Sequence, residues 1–528
     1  PVLGLFLAAC LSAMRWHLNF SRIGFLGIMT VFLSLPMLLW LWRGLKAPQA
    51  RPAKGRVRGQ NLFFGMALVL AVARGFLQYA MAPGPSEAFV GLLLGLPLLW
   101  CAFKAWHDER SRWFMLSALA LACAMYSYIA ARLLVLLVAL IVGHHLLTRQ
   151  RPLKARAWAL LTISFGVLAL GLAVLVLGSA ASASNAAWGL SVSRVLGLCI
   201  VAFGALGAVL FWVGQRDLFR GWGRPLGLAL GVGLVVAGPL YAYAVRNHVQ
   251  VAARSYRVSI FNDHDSDKRT WGVKLLDNLG PTLGMINVRG DGNPRHNLPD
   301  ALQVNPVWGA LFALGLFWGL LNLRDARVWL ALCLWQVSLI AGYASIEAPQ
   351  SYRCITAIPA VLLFLGLALE RCRIALRRYF REDAGIAFGL LLVAVLAFGA
   401  GISLRTYFVK QRENPGVWAE FSADEYLMGK DLRELNSNGL HTRGLVLAAW
   451  ASSYTFRFMT YPARNYEPFD PTADIPIRVS PTLQGEDFLY ILGQDYLPLV
   501  GVLEHLYPKG IYHEVRHPYT HDLLYWTY

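Results

Sequence analysis

Apolar runs long enough to cross a lipid bilayer fill the first 404 residues, and a chain built this way is predicted to fold as a bundle of membrane helices. A hydrocarbon core about 30 Å thick takes about 20 residues at 1.5 Å rise each. A partial run at 1–14 is followed by runs at 23–42, 61–80, 88–103, 113–130, 132–147, 157–178, 195–214, 226–245, 305–323, 327–344, 354–370 and 385–404. The hairpin 113–147 is the least regular, because Arg132 interrupts it. A backbone in lipid must satisfy its own hydrogen bonds, so about 12–13 transmembrane helices are expected. The expected fold class is an all-α polytopic membrane bundle, residues 1–404 with an outer loop at 246–304, followed by a soluble α/β domain at 405–528.

Charge reports orientation. The chain holds 48 Lys and Arg against 30 Asp and Glu, a formal net charge of +18. The basic residues do not gather in one stripe, as a nucleic-acid surface would require. They fall in alternate short loops, all on one side of the apolar runs, around 43–58, 104–112, 149–156, 216–224, 324–327 and 371–381. The positive-inside rule makes those loops cytoplasmic. The other side then receives 15–22, 81–87, 179–194, 246–304, 345–353 and the C-terminal domain. The expected location is the inner cell membrane, with the C-terminal domain extracytoplasmic, the lipid bilayer as a partner and no nucleic acid.

The 7 cysteines lie almost all in or at the ends of apolar runs and form no C-x-x-C pair, which argues against a disulfide framework or a thiolate metal site. The opening PVLGLFLAACLSAM has no charged segment before it and is not a signal peptide. It reads as a helix entered part-way, so the chain is expected to be a fragment without its true N-terminus. In the C-terminal domain, 417–436 has helical periodicity with a capping box at Ser422 and Glu425, and Asn438-Gly439 stops it. GLVLAAW, SYTFRFMTY, EDFLYILG and DLLYWTY are predicted strands, and YLPLVGVLEHLYP a further helix.

Ionisable residues at the outer face are the candidates for chemistry. Arg15-Trp16-His17-Leu18-Asn19-Phe20-Ser21-Arg22 sets two guanidiniums and an imidazole between two apolar helices. They suit a phosphate headgroup, since guanidinium presents a planar fork of donors to oxyanions. On chemistry alone, interfacial anchoring by Trp, His and Arg is the stronger reading. The loop 246–304 holds Asp263, His264, Asp265 and Asp267, then Arg289, Asp291, Arg295, His296 and Asn297. D-H-D-S-D is the only hint of a cofactor, a divalent cation, but it lacks the Gly and distal Glu of an EF-hand, and a solvated acidic turn fits it better. R-G-D-G-N-P-R-H-N could line a polar cleft or simply cover the membrane face. Glu347 and Arg353 could pair with each other, or Arg353 could face an anionic lipid-linked substrate. Tyr126, Tyr128 and Arg132 form a lesser cluster, explained by an aromatic belt, and His144 and His145 read as structural. No P-loop, H-E-x-x-H or G-x-S-x-G spacing is present.

Four segments carry a family resemblance. R-W-H-L-N-F-S-R-I-G-F at 15–25 resembles the W-H-x-x-F-S-R-I-G segment of bacterial glycosyltransferases of the GT-C superfamily, family 39, relatives of the protein O-mannosyltransferases and of the lipid A aminoarabinose transferase. A-M-Y-S-Y-I-A-A-R-L at 124–133 is similar to their G-L-Y-T-Y-x-A-A-R-L. G-D-G-N-P-R-H-N-L-P at 290–299 is similar to their N-P-R-H-N-L-P loop, and E-A-P-Q-S-Y-R at 347–353 to their E-A-P-H-x-x-R. The four follow in family order. The resemblance implies inverting transfer of a sugar from a polyprenyl-phosphate donor to a glycan, lipid or protein acceptor at the extracytoplasmic face. It implies substrate-binding roles for Arg15, His17 and Glu347, donor-phosphate contacts for Arg22 and Arg353, and a cleft shaped by Arg295, His296 and Asn297. The family's acidic base belongs to an earlier loop, expected upstream of Pro1. The sequence departs from the family where Leu26, Gly27 and Ile28 replace a second acid and where Gln350 replaces a His.

Two other classes fit the composition. A transporter or flippase for a lipid-linked substrate would favour internal repeats and mid-membrane charges. No repeat is visible, and Arg74 is the main intramembrane charge. A membrane scaffold whose outer domain binds partners is the third reading.

Overall fold

The computed structural model describes residues 2–23, 27–48, 105–149, 222–247, 249–250, 253, 257–261, 269–323, 325–437, 442–462, 465–476 and 487–528. The predicted spans 61–80, 88–103, 157–178 and 195–214, Arg74 and the D-H-D-S-D stretch lie outside these residues. Among the described residues the chain is mostly helical, with one sheet near its C-terminus. It divides into two compact units, Pro1–Asp291 with Leu302–Gly401, and Gly292–Ala301 with Ile402–Tyr528. The turn 292–301, read from sequence as part of an outer loop of the membrane domain, groups with the C-terminal residues.

The first unit begins with α1 (Val2–Ala13), α2 (Arg15–Ile23) and α3 (Gly27–Lys46). It continues with α4 (Glu109–Ser127), α5 (Leu134–Arg149), α6 (Gly223–Arg246) and α7 (Trp271–Gly284). Its last helices are α8 (Pro306–Leu320), α9 (Ala326–Tyr343), α10 (Ile358–Phe380) and α11 (Ala384–Arg405). Gly27–Lys46, Gly223–Leu240, Ala326–Tyr343 and Ile355–Lys410 are long and apolar enough to cross a membrane, the last stretch holding both α10 and α11. The pair Val2–Ala13 and Arg15–Arg22, bent by 58°, counts as a fifth if it is one broken span.

Local chemistry sets these boundaries. Asp108 Oδ2 accepts from the Ser111 amide (3.1 Å) and starts α4, and Asn305 Oδ1 accepts from the Trp308 amide (3.0 Å) ahead of Pro306, starting α8. Arg132 lies in a tight turn, Ile129–Leu133, that separates α4 from α5. Small residues let helices approach: a Cβ on Gly315 would fall inside the Phe364 carbonyl of α10, and one on Gly399 inside the Trp308 indole. The Trp308 indole N–H donates to the Val395 carbonyl (3.1 Å), and Asn305 Nδ2 to that of Gly399 (3.1 Å), so α8 is tied to α11 as well as packed on α10.

In the second unit, α12 (Pro415–Glu420) and α13 (Ala423–Ser437) precede β1 (Thr442–Leu447), and α14 (Ala448–Ala451) and α15 (Tyr454–Met459) lead to β2 (Tyr466–Phe469). β3 (Asp487–Leu492), α16 (Leu499–Leu506), β4 (His513–Arg516) and β5 (Leu523–Thr527) complete it. The five-stranded sheet has the order β2-β1-β3-β5-β4. β2, β1 and β3 run parallel, with Gly444 opposite Tyr466 and Thr442 opposite Asp487, whereas β5 is antiparallel to β3 and to β4. Strand alternation supplies two cores. Val446, Ile491 and Tyr525 pack with Met428 and Leu432 of α13, and Leu445, Tyr490 and Trp526 pack with Leu503 of α16.

Several sequence expectations change: residues 15–22, read as a loop joining two helices, form α2, and the predicted strand G-L-V-L-A-A-W ends at Leu447, its last three residues being helical. Ser422 adopts φ 54°, not the extended backbone of an N-cap, so the predicted helix 417–436 is two helices. S-Y-T-F-R-F-M-T-Y is helical rather than a strand: its alternating aromatics divide as Phe456, buried against Tyr466, and Tyr454 and Phe458, exposed. The strands β2 and β4 were not predicted.

Candidate functional site

Helix α2 is short and two-sided. Trp16 and Phe20, four residues apart, are fully buried, while Arg22 at its end is exposed. The Trp16 indole N–H donates to the Ser351 carbonyl (3.2 Å), and the Phe20 ring meets Tyr352 at 5.2 Å between centroids. Tyr128, which precedes the Arg132 turn, packs on the same Tyr352 ring at 4.8 Å. Gly27 makes room for that ring, since a Cβ there would come within 2.8 Å of it. Asp291 is 2% exposed and accepts from both the Ser351 amide (2.8 Å) and its hydroxyl (2.9 Å). Trp16 and Phe20 of 15–25, Tyr128 of 124–133 and Asp291 therefore meet on Ser351-Tyr352, within the segment 347–353.

Cationic groups belong to the same stretches of chain. Arg353 is mostly buried, with Nη2 4.0 Å from a carboxylate oxygen of the largely exposed Glu347. Glu347 also accepts from Gln350 Nε2 (2.6 Å). Gln350 thus holds the loop's carboxylate. Arg15 is buried and donates from Nη2 to the Leu302 carbonyl. His17 Nδ1 and Arg132 Nε are buried and have no hydrogen-bond partner among the described residues.

The remaining predicted residues belong to the second unit. Asn293, Pro294, Arg295, His296 and Asn297 form a tight turn in which the Asn293 carbonyl accepts from the amides of His296 (2.9 Å) and Asn297 (3.0 Å). Asn297 Nδ2 donates to the Ala301 carbonyl (2.7 Å), closing the turn. Arg295 is half exposed and faces Glu420, donating to its carbonyl (3.0 Å) with Nε 3.5 Å from its carboxylate. His296 and Asn297 are buried.

Two residues gain weight that sequence reasoning withheld. Asp291 is the buried anchor of the 347–353 loop. Arg132 brings a guanidinium next to the Tyr128–Tyr352 contact in sequence; its signal was a lone arginine breaking an apolar run. Among the described residues no group of three or more His, Cys, Asp or Glu side chains could hold a metal ion. No protein-family model, curated protein or solved structure matches the chain.

Proposed function

We propose that the protein is a polytopic membrane glycosyltransferase of GT-C type, with about 12–13 spans, which transfers a sugar with inversion from a polyprenyl-phosphate donor to an acceptor on the extracytoplasmic face of the cell membrane. One observation carries the reading: residues of 15–25 and 124–133, each segment resembling one of that superfamily, meet with Asp291 on Ser351-Tyr352 of the resembling segment 347–353.

A lipid-borne phosphate needs cations beside apolar helices, and Arg22, Arg132, Arg353 and His17 supply them. Guanidinium donors stabilise the phosphate as the glycosidic bond to it breaks, while a carboxylate base takes the proton of the acceptor hydroxyl. Asp291 and the Trp16 indole fix the loop that carries Arg353, and Glu347 sets that side chain's direction. The bent pair α1–α2 favours a second reading, a transporter of a lipid-linked substrate, because broken helices build substrate sites in transporters.

The test is transfer of labelled sugar from a panel of polyprenyl-phosphate hexoses and pentoses in membranes holding the protein. Arg353→Gln and Arg22→Gln are expected to lower transfer about a hundredfold, the usual cost of losing a donor to developing charge, without loss of folded protein. Undiminished transfer in both variants overturns the site. Movement of the lipid across the bilayer without transfer supports the transporter.

A further inference from the structure

Helix α10 runs on past its apolar part. From Ile358 to Leu369 it carries no charge and is largely buried. From Glu370 to Phe380 it continues for about three turns with Arg371, Arg373, Arg377 and Arg378, and Arg381 follows at its end.

These arginines are not alike. Arg373 is occupied by Glu370, which accepts from Nε (2.8 Å) and Nη2 (2.6 Å). Arg327, at the start of α9, is likewise occupied by Asp325 (2.7 Å). Arg371 instead lies over the Trp318 ring of α8, its guanidinium carbon 3.7 Å from the ring centroid. Among the described residues Arg371, Arg377, Arg378 and Arg381 form no ion pair, although Glu382 and Asp383 follow in the chain, and all four are exposed.

Helical spacing sets Leu363, Leu367, Arg371, Ile374 and Arg378 on one face of α10, with Leu363 and Ile374 exposed. The Arg371–Trp318 contact joins this face to the end of α8, where Leu314, Phe317 and Leu321 are 58–68% exposed. Tyr379 is exposed beside the last arginines, and tyrosine favours the level of lipid headgroups.

Open apolar side chains and unpaired guanidiniums at one end of two adjacent helices call for a ligand that is apolar and anionic at once. Water satisfies the arginines but not Leu314 and Phe317, and a zwitterionic lipid brings a cation of its own to the arginines. An anionic phospholipid meets both demands, because guanidinium offers its phosphate a planar fork of donors. Arg371 and Arg378 are about 10 Å apart along the helix axis, near enough for two long side chains to close on one phosphate.

We infer that the ends of α8 and α10 seat one anionic diacyl phospholipid, its phosphate between Arg371 and Arg378 and its acyl chains on Leu314, Phe317 and Leu363. The inference depends neither on sugar transfer nor on which side of the membrane this end faces.

Native mass spectrometry of the delipidated full chain in a nonionic detergent, titrated with dioleoyl phosphatidylglycerol or dioleoyl phosphatidylcholine, tests it. Phosphatidylglycerol is expected to bind about tenfold more tightly than phosphatidylcholine. Arg371→Gln/Arg378→Gln removes that preference, since each basic residue near a lipid surface is worth about a fivefold change. Arg378→Gln alone, an exposed change, lowers phosphatidylglycerol affinity about fivefold and serves if the double variant does not fold. Arg457→Gln, which takes the same charge from the exposed surface of the second unit, leaves the affinity unchanged. Equal affinity for the two lipids, an equal loss in Arg457→Gln and Arg378→Gln, a double variant that keeps the preference, or displacement of the lipid by inorganic phosphate at similar concentration overturns the proposal.

Discussion

The two units differ in where their open apolar side chains sit. In the first, large side chains such as Phe32, Val393 and Phe398 lie open on long helices, at 65–69% exposure. Its buried polar groups close on backbone carbonyls: Arg15 on Leu302, Arg110 on Ala47, and the Trp308 indole on Val395. In the second, Trp526 and Tyr525 sit inside the sheet and are fully buried, while open apolar side chains such as Phe458 and Ile511 sit on a short helix and a loop. The first arrangement is stable where hydrocarbon takes the place of water, and the second where water remains. The length of helix over which apolar side chains lie open, more than helix content, separates the two units.

Substitutions can break that contrast. The largest effect is expected from Trp526→Ala, which empties the sheet core and loses the indole bond to the Gly493 carbonyl (2.9 Å). It should destabilise the C-terminal unit by about 4 kcal/mol, read by chemical unfolding of the full chain. Val393→Asp, on an open face of α11, should cost about 3 kcal/mol of membrane insertion, read as the inserted fraction in a translocon assay. Phe458→Asp is the aqueous counterpart. Phe458 is 79% exposed, and on the reading that water covers it the change should stay within about 0.5 kcal/mol. A similar cost at 393 and 458 would erase the distinction between the units.

Asp291→Ala should cost about 2 kcal/mol, because it strands the buried Ser351 amide, and should depress transfer as the Arg353 loop loosens. Thermal melting with a parallel transfer assay reads both. The smallest effect is a pH dependence. His517 is fully buried, and its Nδ1 accepts from the amides of Tyr519 (3.3 Å) and Thr520 (3.1 Å), with Trp418 against the ring at 4.4 Å. Burial pushes its pKa below the ordinary histidine value, against the pull of Asp522. The unfolded chain therefore binds the proton more tightly. Its contribution to stability is complete above about pH 6.5 and is lost as the pH falls below that toward the depressed native value. A His517→Gln variant should show a flatter melting profile between about pH 5 and 7, and an unchanged slope would discard the assignment.

Much of the fold was legible because its signals are long. Every apolar run that falls on described residues is helical there, and the central strands β1, β3 and β5 announce themselves by apolar residues on both faces. The edge strands did not. β2 contains Pro468 and only its last residue is buried, and His513-Glu514-Val515-Arg516 of β4 is mostly polar, since an edge strand meets water along one side. The strand predicted at 453–461 failed because alternation counts aromatics without knowing which are buried. Site residues were legible as types at an interface. That Asp291 would hold Ser351, and that Tyr128 and Phe20 would share one ring, depends on contacts over sequence separations that no local pattern encodes.

Those same edges have a consequence for self-association. β2 is four residues long and interrupted by proline; β4 is four residues long, charged, and bulged between Val515 and Arg516. Neither presents the long, flat row of free amides and carbonyls onto which a strand from another copy could grow. Protein lost to precipitation outside a bilayer should accordingly clump through its hydrocarbon-facing helices, and detergent choice should rescue it where changes to the sheet would not.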